Sequence, residues 1–289
     1  MSNRDFSESL IGYEKEDDQL WLWDDIPELK MEIGYKIKKL LHLEKSAFQE
    51  ISIVETASYG RMLVLDGTPQ ITEKDGFIYN EMISHIALTT HPKPLTAGMI
   101  GGGDCGPARE ALKYGSVETI DVVEIDPLVV SACRTWMTPY ESNDRIRLFY
   151  EDGARWIKKQ QRQYDVLLVD RSDPYGPATA LYTAGFYRDV HQALKDDGIA
   201  VFQSGSPFYS DSFKKTVNQL RKLFPIVHTY TTTIPSFPGG IWTFTIASKR
   251  WSPLQADLNR LQWENAKYMN PDIFRASFQL PNYIRDMLK

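Results

Sequence analysis

Carboxylates follow four predicted strands of the sequence, at spacings that could place them around one ligand. They are Asp104, Glu124, Asp152 and Asp170. A site for a phosphate group would gather lysine or arginine at such strand ends, whereas these strand ends are acidic. The acids therefore indicate a ligand that carries hydroxyl groups and positive charge. A sulfonium nucleoside together with an amine has both, and NAD, with its pyrophosphate, fits less well.

The first acid lies in a glycine-rich segment, Gly101–Gly106, between a short apolar strand and a predicted helix. Gly101, Gly103 and Gly106 satisfy the GxGxxG spacing of nucleotide-binding strand–turn–helix units. Glycine permits the tight turn and lets a ligand approach the backbone. Glu124 ends the next strand, 23 residues after Gly101. That separation is close to the ~20 residues expected for an acid that binds ribose hydroxyls.

The two later acids lie in loops. Asp152 follows a predicted strand and could accept a hydrogen bond from an adenine amino group, or it could cap a helix. Asp170 begins the segment 170–177, whose prolines and glycines fix a loop without regular structure. Because successive strand ends meet in one crevice of an open α/β sheet, we expect all four acids to face that crevice.

From Ala97 onward, strand-like segments alternate with helical segments. The predicted strands are residues 99–100, 119–124, 145–150, 164–169, 199–202, 229–234 and 241–246, and the predicted helices are residues 109–114, 128–136, 154–160 and 186–194. This alternation predicts a mostly parallel sheet that is covered by helices on both faces.

The preceding part of the chain has a different pattern. Phe48–Thr56 alternates apolar and polar residues, and Asp66-Gly67 is a hairpin-type dipeptide. We therefore expect a small antiparallel β domain over residues 1–76, with residues 1–20 mobile or weakly ordered. Phe77–Leu88 has helical spacing and begins the second domain, residues 77–289. The predicted fold class is α/β, a Rossmann-like methyltransferase-type mostly parallel sheet with a small N-terminal antiparallel β domain.

Composition argues against several classes of function. The formal net charge is −5 and no basic patch stands out, so we expect no nucleic-acid partner. The 5 histidines are scattered and the 2 cysteines, Cys105 and Cys133, have no histidine at ligand spacing, so we expect no metal site. No apolar run approaches ~18 residues, so we expect no membrane helix. The few cysteines and the polar N-terminus favour a cytoplasmic location.

Together, the motifs resemble those of the polyamine aminopropyltransferases, the spermidine synthase family, from about Trp21 to the C-terminus. The matching segments are Gly101–Gly106 (family GGGDGG), Val123–Asp126 (VEID), Glu151–Gly153 (DDG), Val169–Pro177 (VDSSDPxGP), Leu65–Gln70 with Tyr79–Glu81 (LDGxxQ and YxE), and Thr233–Gly240 (TIPTYPSG). The resemblance implies an N-terminal β domain, a methyltransferase-like Rossmann domain, and a homodimer or homotetramer. It also implies decarboxylated S-adenosylmethionine as the donor and methylthioadenosine as the by-product.

The resemblance assigns a role to each matching residue. Asp170 would be the base for the attacking amine, with Tyr79 assisting, since an alkyl amine with a pKa near ~10 must lose a proton before it attacks. Asp104 would meet the aminopropyl ammonium of the donor, Glu124 the ribose and Asp152 the adenine. The other implied donor contacts are Gln49, Gly101, Gly103, Ile125 and Gly153, and the implied acceptor contacts are Gln70, Tyr79, Asp173, Gln203 and Phe237.

Five positions depart from the family pattern, namely Gly76, Cys105, Arg171, Gly205 and Phe237. Arg171 either points away from the site or points into it, where it would disfavour a small dication and could pair with an acid on the substrate. Gly76, Gly205 and Phe237 lower the polarity or the negative charge expected near the acceptor. This gives the hypothesis that the acceptor is not simple putrescine but is longer, more apolar or differently charged.

Two other functions are compatible with the same fold. An amine N-methyltransferase would use intact S-adenosylmethionine, and Arg171 could bind the carboxylate of that donor. Asp104 favours the decarboxylated donor, whose tail ends in an ammonium. A non-enzymatic polyamine- or nucleoside-binding protein is disfavoured by the presence of Asp170, Asp173 and Tyr79. We expect residues 173–181 to form a lid over the site, because the segment is rich in proline and glycine and adjoins the base.

Overall fold

Two β-sheets and their surrounding helices form the part of the chain that the computed structural model describes, residues 10–27, 29–137, 143–172, 176–208 and 212–289. The first sheet has six strands: β1 (Tyr13–Glu16), β2 (Gln19–Ile26), β3 (Met31–Lys45), β4 (Glu50–Thr56), β5 (Arg61–Leu65) and β6 (Thr68–Thr72). These strands lie side by side in chain order, and each pairs antiparallel with the next. The sheet is the predicted N-terminal antiparallel unit.

Residues 10–20 are more ordered than their polar sequence predicts. Residues 1–20 are expected to be weakly ordered, but Tyr13–Glu16 and Gln19–Leu22 pair as two neighbouring strands. Asp17 and Asp18 form the turn between them with positive φ angles of 45° and 64°. Aspartate tolerates this left-handed conformation, so the polar composition of the segment builds a hairpin. Residues 1–9 lie outside the described part of the chain.

The first sheet packs against the second domain through one of its faces. Ile51 and Ile53 of β4 and Leu63 of β5 form a buried cluster with Val129 and Cys133. Alternate residues of a strand point to the same face, which explains the spacing of the two isoleucines. This packing places β4–β6 beside the glycine-rich turn.

The second sheet is mostly parallel and has seven strands: β7 (Thr96–Gly101), β8 (Thr119–Val123), β9 (Ile146–Phe149), β10 (Tyr164–Asp170), β11 (Leu194–Gly205), β12 (Ile226–Thr233) and β13 (Ile241–Ser248). Its order is β12-β13-β11-β10-β7-β8-β9, and β13 runs antiparallel to both of its neighbours. The sheet confirms the predicted fold class. Since β7 pairs with both β8 and β10, the order reverses there, and ligands of such sheets bind at this point.

Eight α-helices flank the sheets in the described residues: α1 (Gly76–Thr90), α2 (Gly106–Leu112), α3 (Pro127–Ala132), α4 (Gly153–Ile157), α5 (Ala184–Ala193), α6 (Ser212–Arg221), α7 (Pro271–Ser277) and α8 (Asn282–Met287). The helix predicted over residues 128–136 is α-helical only as far as Ala132 and continues as a π-helical turn, Cys133–Met137. Among the described residues, each helix is too short or too polar to span a membrane.

Helix α1 packs against the second sheet and is buried along nearly its whole length. Glu81 is 2% exposed, and its carboxylate accepts hydrogen bonds from the backbone N–H groups of residues 267, 268 and 269 at 2.7–2.9 Å. A buried carboxylate with three such donors is satisfied without a counter-ion. Glu81 therefore fixes the C-terminal segment to the helix that carries Tyr79.

Candidate active site

A cavity of about 940 Å³ lies at the carboxyl ends of β7, β8 and β10, and residues of β2, β5 and β6 close its other side. Every predicted site residue that the structure describes lines it: Gln49, Gln70, Tyr79, Gly101, Gly103, Asp104, Glu124, Ile125, Asp152, Gly153, Asp170, Gln203 and Phe237. The predicted acceptor contact Asp173 lies outside the described residues, as do Pro174 and Tyr175 of the predicted lid.

The turn after β7 has no space for side chains at two of its glycines. Gly101 has a φ of 83°, and a Cβ there would lie 1.8 Å from the carbonyl oxygen of Asp170. A Cβ on Gly103 would lie 2.7 Å from a side-chain carbon of Val129. Cys105 has a φ of 55°, a left-handed conformation that favours glycine, which is what the resembled motif has at this position. The cysteine is buried and burial raises the pKa of its thiol to about 12.

Asp104 lies two residues before helix α2 and is held by Arg109 of that helix. Arg109 Nη1 donates a hydrogen bond to the backbone carbonyl of Asp104 at 2.7 Å, and Arg109 Nη2 lies 3.9 Å from the carboxylate. Burial raises the pKa of Asp104, and the charge of Arg109 opposes that rise. The carboxylate faces the cavity, where a cationic ligand would stabilise its charged form.

Glu124 and Gln49 are joined through Asp126, at the contact between the two sheets. Gln49 Nε2 donates to Asp126 Oδ2 at 2.9 Å, and the backbone N–H of Asp126 donates to Glu124 Oε1 at 3.0 Å. Burial raises the pKa of Glu124 to about 7, the N–H bond from Asp126 opposes this rise, and the Asp126 carboxylate adds to it. The second carboxylate oxygen of Glu124 would be 3.2 Å from a Cβ on Gly103, so it borders the glycine-rich turn.

Asp152 caps a helix and also borders the cavity. Its Oδ1 accepts from the backbone N–H groups of Ala154 at 2.8 Å and Arg155 at 3.2 Å, which caps the N-terminus of α4. The same residue lines the cavity, and Gly153 beside it would place a Cβ 2.4 Å from Ile100. The cap thus fixes the orientation of a carboxylate at the cavity wall.

Asp170 ends β10 and accepts a hydrogen bond on Oδ1 from the hydroxyl of Tyr79. Burial raises the pKa of Asp170 to about 7, the Tyr79 hydrogen bond opposes this rise, and the carboxylates of Asp104 and Glu124 add to it. Burial and the Asp170 charge raise the pKa of Tyr79 well above its ordinary value, so the phenol stays protonated and donates. A carboxylate with a pKa near 7 accepts a proton effectively at neutral pH.

Another part of the cavity wall combines aromatic rings with a buried carbonyl oxygen that has no hydrogen-bond partner among the described residues. The ring of Phe237 lies 6.1 Å from that of Tyr79 and 4.6 Å from that of Trp242. Gln203 is 4% exposed, and its Oε1 has no hydrogen-bond partner among the described residues. A buried carbonyl oxygen without a partner is costly, so a donor from a ligand would stabilise it.

Sequence reasoning missed two acids of the cavity wall. Asp24 and Asp25 lie near the C-terminal end of β2 in the first sheet and line the cavity. Asp24 is 5% exposed, although the strand around it is aromatic and apolar. The only indication in the sequence was a pair of adjacent acids within the apolar segment Trp21–Ile26. The packing of the two sheets is what brings these acids to the cavity.

The structure also locates the positions that depart from the family pattern. Arg171 borders the cavity, but its side chain is buried at 2% exposure and its guanidinium is hydrogen-bonded in the core to Leu181, Tyr187 and Thr216. Gly205 has a φ of 78° at an irregularity between β11 and β13, and a glycine is favoured there for backbone reasons. Gly76 packs on Ile71 at the start of α1.

Of the three changes expected to lower polarity near the acceptor, Phe237 lines the cavity, whereas Gly76 and Gly205 are outside the described cavity wall. The hypothesis of an acceptor other than putrescine therefore depends on Phe237.

The fold and the site together define an α/β domain of the nucleoside-binding type in which acids occupy the positions of phosphate-binding groups. Comparison with known protein families identifies the family that has this fold and site. Residues 76–257 match the spermine/spermidine synthase domain, and residues 21–73 match the spermidine synthase tetramerisation domain. The chain belongs to the spermine/spermidine synthase family.

Individual relatives cover nearly the whole chain. A polyamine aminopropyltransferase of Moorella thermoacetica is 41% identical over 89% of this chain and 92% of its own length. One of Shouchella clausii is 42% identical over 89% of this chain and 95% of its own. A crystal structure of spermidine synthase in complex with the transition state analogue AdoDATO is 32% identical with a TM-score of 0.91, covering 98% of both chains. That of Thermotoga maritima spermidine synthase is 31% identical with a TM-score of 0.88, covering 98% of this chain and 97% of its own.

Proposed function

We propose that the protein transfers the aminopropyl group of decarboxylated S-adenosylmethionine to an amine such as putrescine or a related polyamine. The observation that carries this proposal is the pair formed by Asp170 and Tyr79 beside Asp104 and Glu124 on one cavity. Its family membership and its relatives named polyamine aminopropyltransferase support the same reaction. The chain is thus an enzyme of the aminopropyltransferase class.

The proposed reaction is a single displacement. Asp170 first takes a proton from the acceptor ammonium, and the nitrogen lone pair that this frees attacks the aminopropyl carbon bound to sulfur. The carbon–sulfur bond breaks, its electrons neutralise the sulfonium, and methylthioadenosine leaves. The attacking nitrogen becomes the secondary ammonium of the product. Because the sulfonium already activates the carbon, the protein mainly aligns nitrogen, carbon and sulfur.

The donor is proposed to lie along the strand ends. Asp104 holds its aminopropyl ammonium, Glu124 its ribose hydroxyls and Asp152 its adenine amino group, with Gln49 steadying Glu124 through Asp126. The donor also makes close contacts with the backbone of Gly101, Gly103, Ile125 and Gly153. A cation next to Asp104 and a hydrogen-bonded diol next to Glu124 would offset the desolvation of these acids.

For the acceptor we propose contacts with Tyr79, Gln203, Phe237 and Gln70. The unpartnered Oε1 of Gln203 accepts an N–H of the amine, and the aromatic wall at Phe237 packs on its methylene groups. Turnover of putrescine, cadaverine, spermidine and agmatine, compared in the parent protein and in Phe237→Tyr, tests the specificity. A clear preference of the parent for putrescine would remove the hypothesis that Phe237 selects a different acceptor.

Methyl transfer from intact S-adenosylmethionine is not favoured. The argument for it was that Arg171 could bind the donor carboxylate, but the Arg171 guanidinium lies in the core. The test is to supply each donor with putrescine and identify products by mass spectrometry. Methylthioadenosine from the decarboxylated donor supports the proposal. S-adenosylhomocysteine as the sole nucleoside product, formed together with methylated putrescine, would overturn it.

We also propose that the reaction needs no metal ion. His91, Asp165 and Asp197 form the one cluster with metal-ligand spacing among the described residues. The backbone N–H of Lys93 donates to His91 Nδ1 at 3.3 Å, so the neutral ring carries its proton on Nε2, facing the two carboxylates at 3.7–3.8 Å. A metal-binding histidine has the opposite arrangement, with the second nitrogen donating. Full activity after dialysis against a chelator is the expected result.

The protein is proposed to act as a homodimer or homotetramer in the cytoplasm. The match of residues 21–73 to a tetramerisation domain supports assembly through the first sheet. Cys105 and Cys133 are free and buried, which fits a reducing compartment. We propose two domains, residues 1–76 and residues 77–289. Light scattering of the purified protein distinguishes the oligomers, and a monomer would contradict this part of the proposal.

A further inference from the structure

The side chain of Arg171 connects the loop after Asp170 to the core. Its Nη1 donates to the backbone carbonyl of Leu181 at 2.5 Å and to the hydroxyl of Tyr187 at 3.0 Å. Its Nη2 donates to Thr216 Oγ1 at 2.9 Å. Charge-assisted hydrogen bonds of this kind are stronger than those between neutral groups. The guanidinium therefore ties Leu181 to helices α5 and α6.

The residue after Leu181 is held by the same group. The ring of Tyr182 lies 3.6 Å from the guanidinium carbon of Arg171, which is close cation–π stacking. The hydroxyl of Tyr182 donates to the backbone carbonyl of Ser172 at 3.0 Å. Two successive residues of the segment 178–182 are thus fixed to positions directly after the proposed base.

The opposite side of this segment faces the cavity. Ala178 and Leu181 line it, and a Cβ on Gly153 would lie 3.8 Å from the Leu181 side chain. Gly153 adjoins Asp152, which we assign to the adenine of the donor. The segment 178–182 is therefore a wall of the nucleoside end of the cavity, and Arg171 supports that wall from behind.

We propose that Arg171 is a positioning residue that holds the segment 178–182 against the nucleoside of the donor and of methylthioadenosine. The inference rests on the proposed function, because that function identifies the ligand. Arg171 acts through Leu181 and Tyr182. Arginine suits this position because its planar fork reaches several acceptors while its face stacks on a ring.

The test is the affinity of methylthioadenosine, measured by calorimetry for the parent protein, Arg171→Lys and Arg171→Ser. Without the guanidinium, the segment must be ordered on binding, and ordering the backbone of about one residue weakens binding by about tenfold. We expect about that loss for Arg171→Ser. Lysine cannot stack and donate in the same geometry, so Arg171→Lys recovers only part of the affinity.

A matched control is available at Arg145. Its guanidinium donates to the backbone carbonyls of Val117 at 2.9 Å and Leu112 at 2.8 Å, away from the cavity wall. Arg145→Ser also removes carbonyl hydrogen bonds, so its thermal midpoint falls, but its affinity for methylthioadenosine stays within about twofold of the parent. Hydrogen exchange gives a second readout, since backbone amides of residues 178–182 exchange faster in Arg171→Ser and not in Arg145→Ser.

Separate outcomes overturn the two proposals. If the parent binds methylthioadenosine and Arg171→Ser binds it equally well, the positioning role is wrong and the proposed function stands. If the parent binds neither methylthioadenosine nor the decarboxylated donor, the proposed function is wrong. Should Arg171→Ser not fold, Thr216→Val removes one acceptor of the guanidinium from α6, and unchanged affinity in that variant contradicts the positioning role.

Discussion

Replacing Asp170 with Asn separates the catalytic role of this residue from its effect on stability. The pKa of Asp170 is raised from 3.8 to about 7, mainly by burial, so the folded protein binds this proton more tightly than the unfolded chain does. The stabilising contribution of the protonated group is full below the unfolded pKa and is lost as the pH rises through about 7. At pH 8 the ionised carboxylate therefore destabilises the ligand-free protein.

The size of this effect follows from the difference in pKa. A difference of about 3 corresponds to about 4 kcal/mol, which is an upper bound because Asp104 and Glu124 titrate with Asp170. Asparagine is neutral at every pH, and its Oδ1 can still accept from Tyr79. We expect Asp170→Asn to raise the free energy of unfolding at pH 8 by about 1–4 kcal/mol, with little change at pH 4.

Turnover changes in the opposite direction. The amide cannot take the ammonium proton, so kcat falls about 10²–10⁴-fold, the usual contribution of a general base. Donor affinity stays within about threefold of the parent, because Asp104, Glu124 and Asp152 are unchanged. The parent enzyme loses activity as the pH falls through about 7, where Asp170 becomes protonated.

The assay combines urea unfolding at pH 4 and pH 8 with release of methylthioadenosine and calorimetry of the donor. Asp75→Asn is the matched control, since Asp75 is 4% exposed but accepts hydrogen bonds from the N–H and hydroxyl of Ser236 outside the cavity wall. It loses stability at both pH values and keeps its turnover. The reasoning is refuted if Asp170→Asn turns over normally, or if its gain in stability is the same at pH 4 and pH 8.

Three further substitutions test the site. Tyr79→Phe removes the hydrogen bond that opposes the rise in the pKa of Asp170, so the acidic limb of the pH–rate profile moves to higher pH; a limb that does not move would contradict the pairing. Asp104→Asn weakens binding of the decarboxylated donor by about tenfold in calorimetry and weakens binding of intact S-adenosylmethionine less. Equal losses of affinity for the two donors would contradict a contact between Asp104 and the ammonium. Gly101→Ala places a Cβ 1.8 Å from a backbone oxygen, so thermal unfolding should show a loss of several kcal/mol, unlike Gly115→Ala, where no atom lies within 4 Å.

The elements that the sequence predicted well are those set by local patterns. Apolar runs separated by glycine or acidic turns located β7, β8 and β10, and the spacing of acids after them predicted one shared edge. The positive φ of Gly101 follows from a motif that needs a tight turn at this point.

What the sequence left open depends on contacts between distant segments. Whether Arg171 faces the cavity or the core is decided by acceptors 10–45 residues away, at Leu181, Tyr187 and Thr216. Gly205 was interpreted as a lost polar contact, but the irregular pairing of β11 with β13 explains it. Asp24 reaches the cavity only because the two sheets pack together, which no local pattern reports.

The most direct test of the account is calorimetric binding of S-adenosylmethionine and its decarboxylated form, side by side, to the same preparation. The two ligands differ in one carboxylate, which would lie near the buried acid Asp104. The account predicts that the decarboxylated donor binds at least tenfold more tightly, a difference of about 1.4 kcal/mol or more. Equal affinity, or tighter binding of intact S-adenosylmethionine, would contradict aminopropyl transfer as the function of this protein.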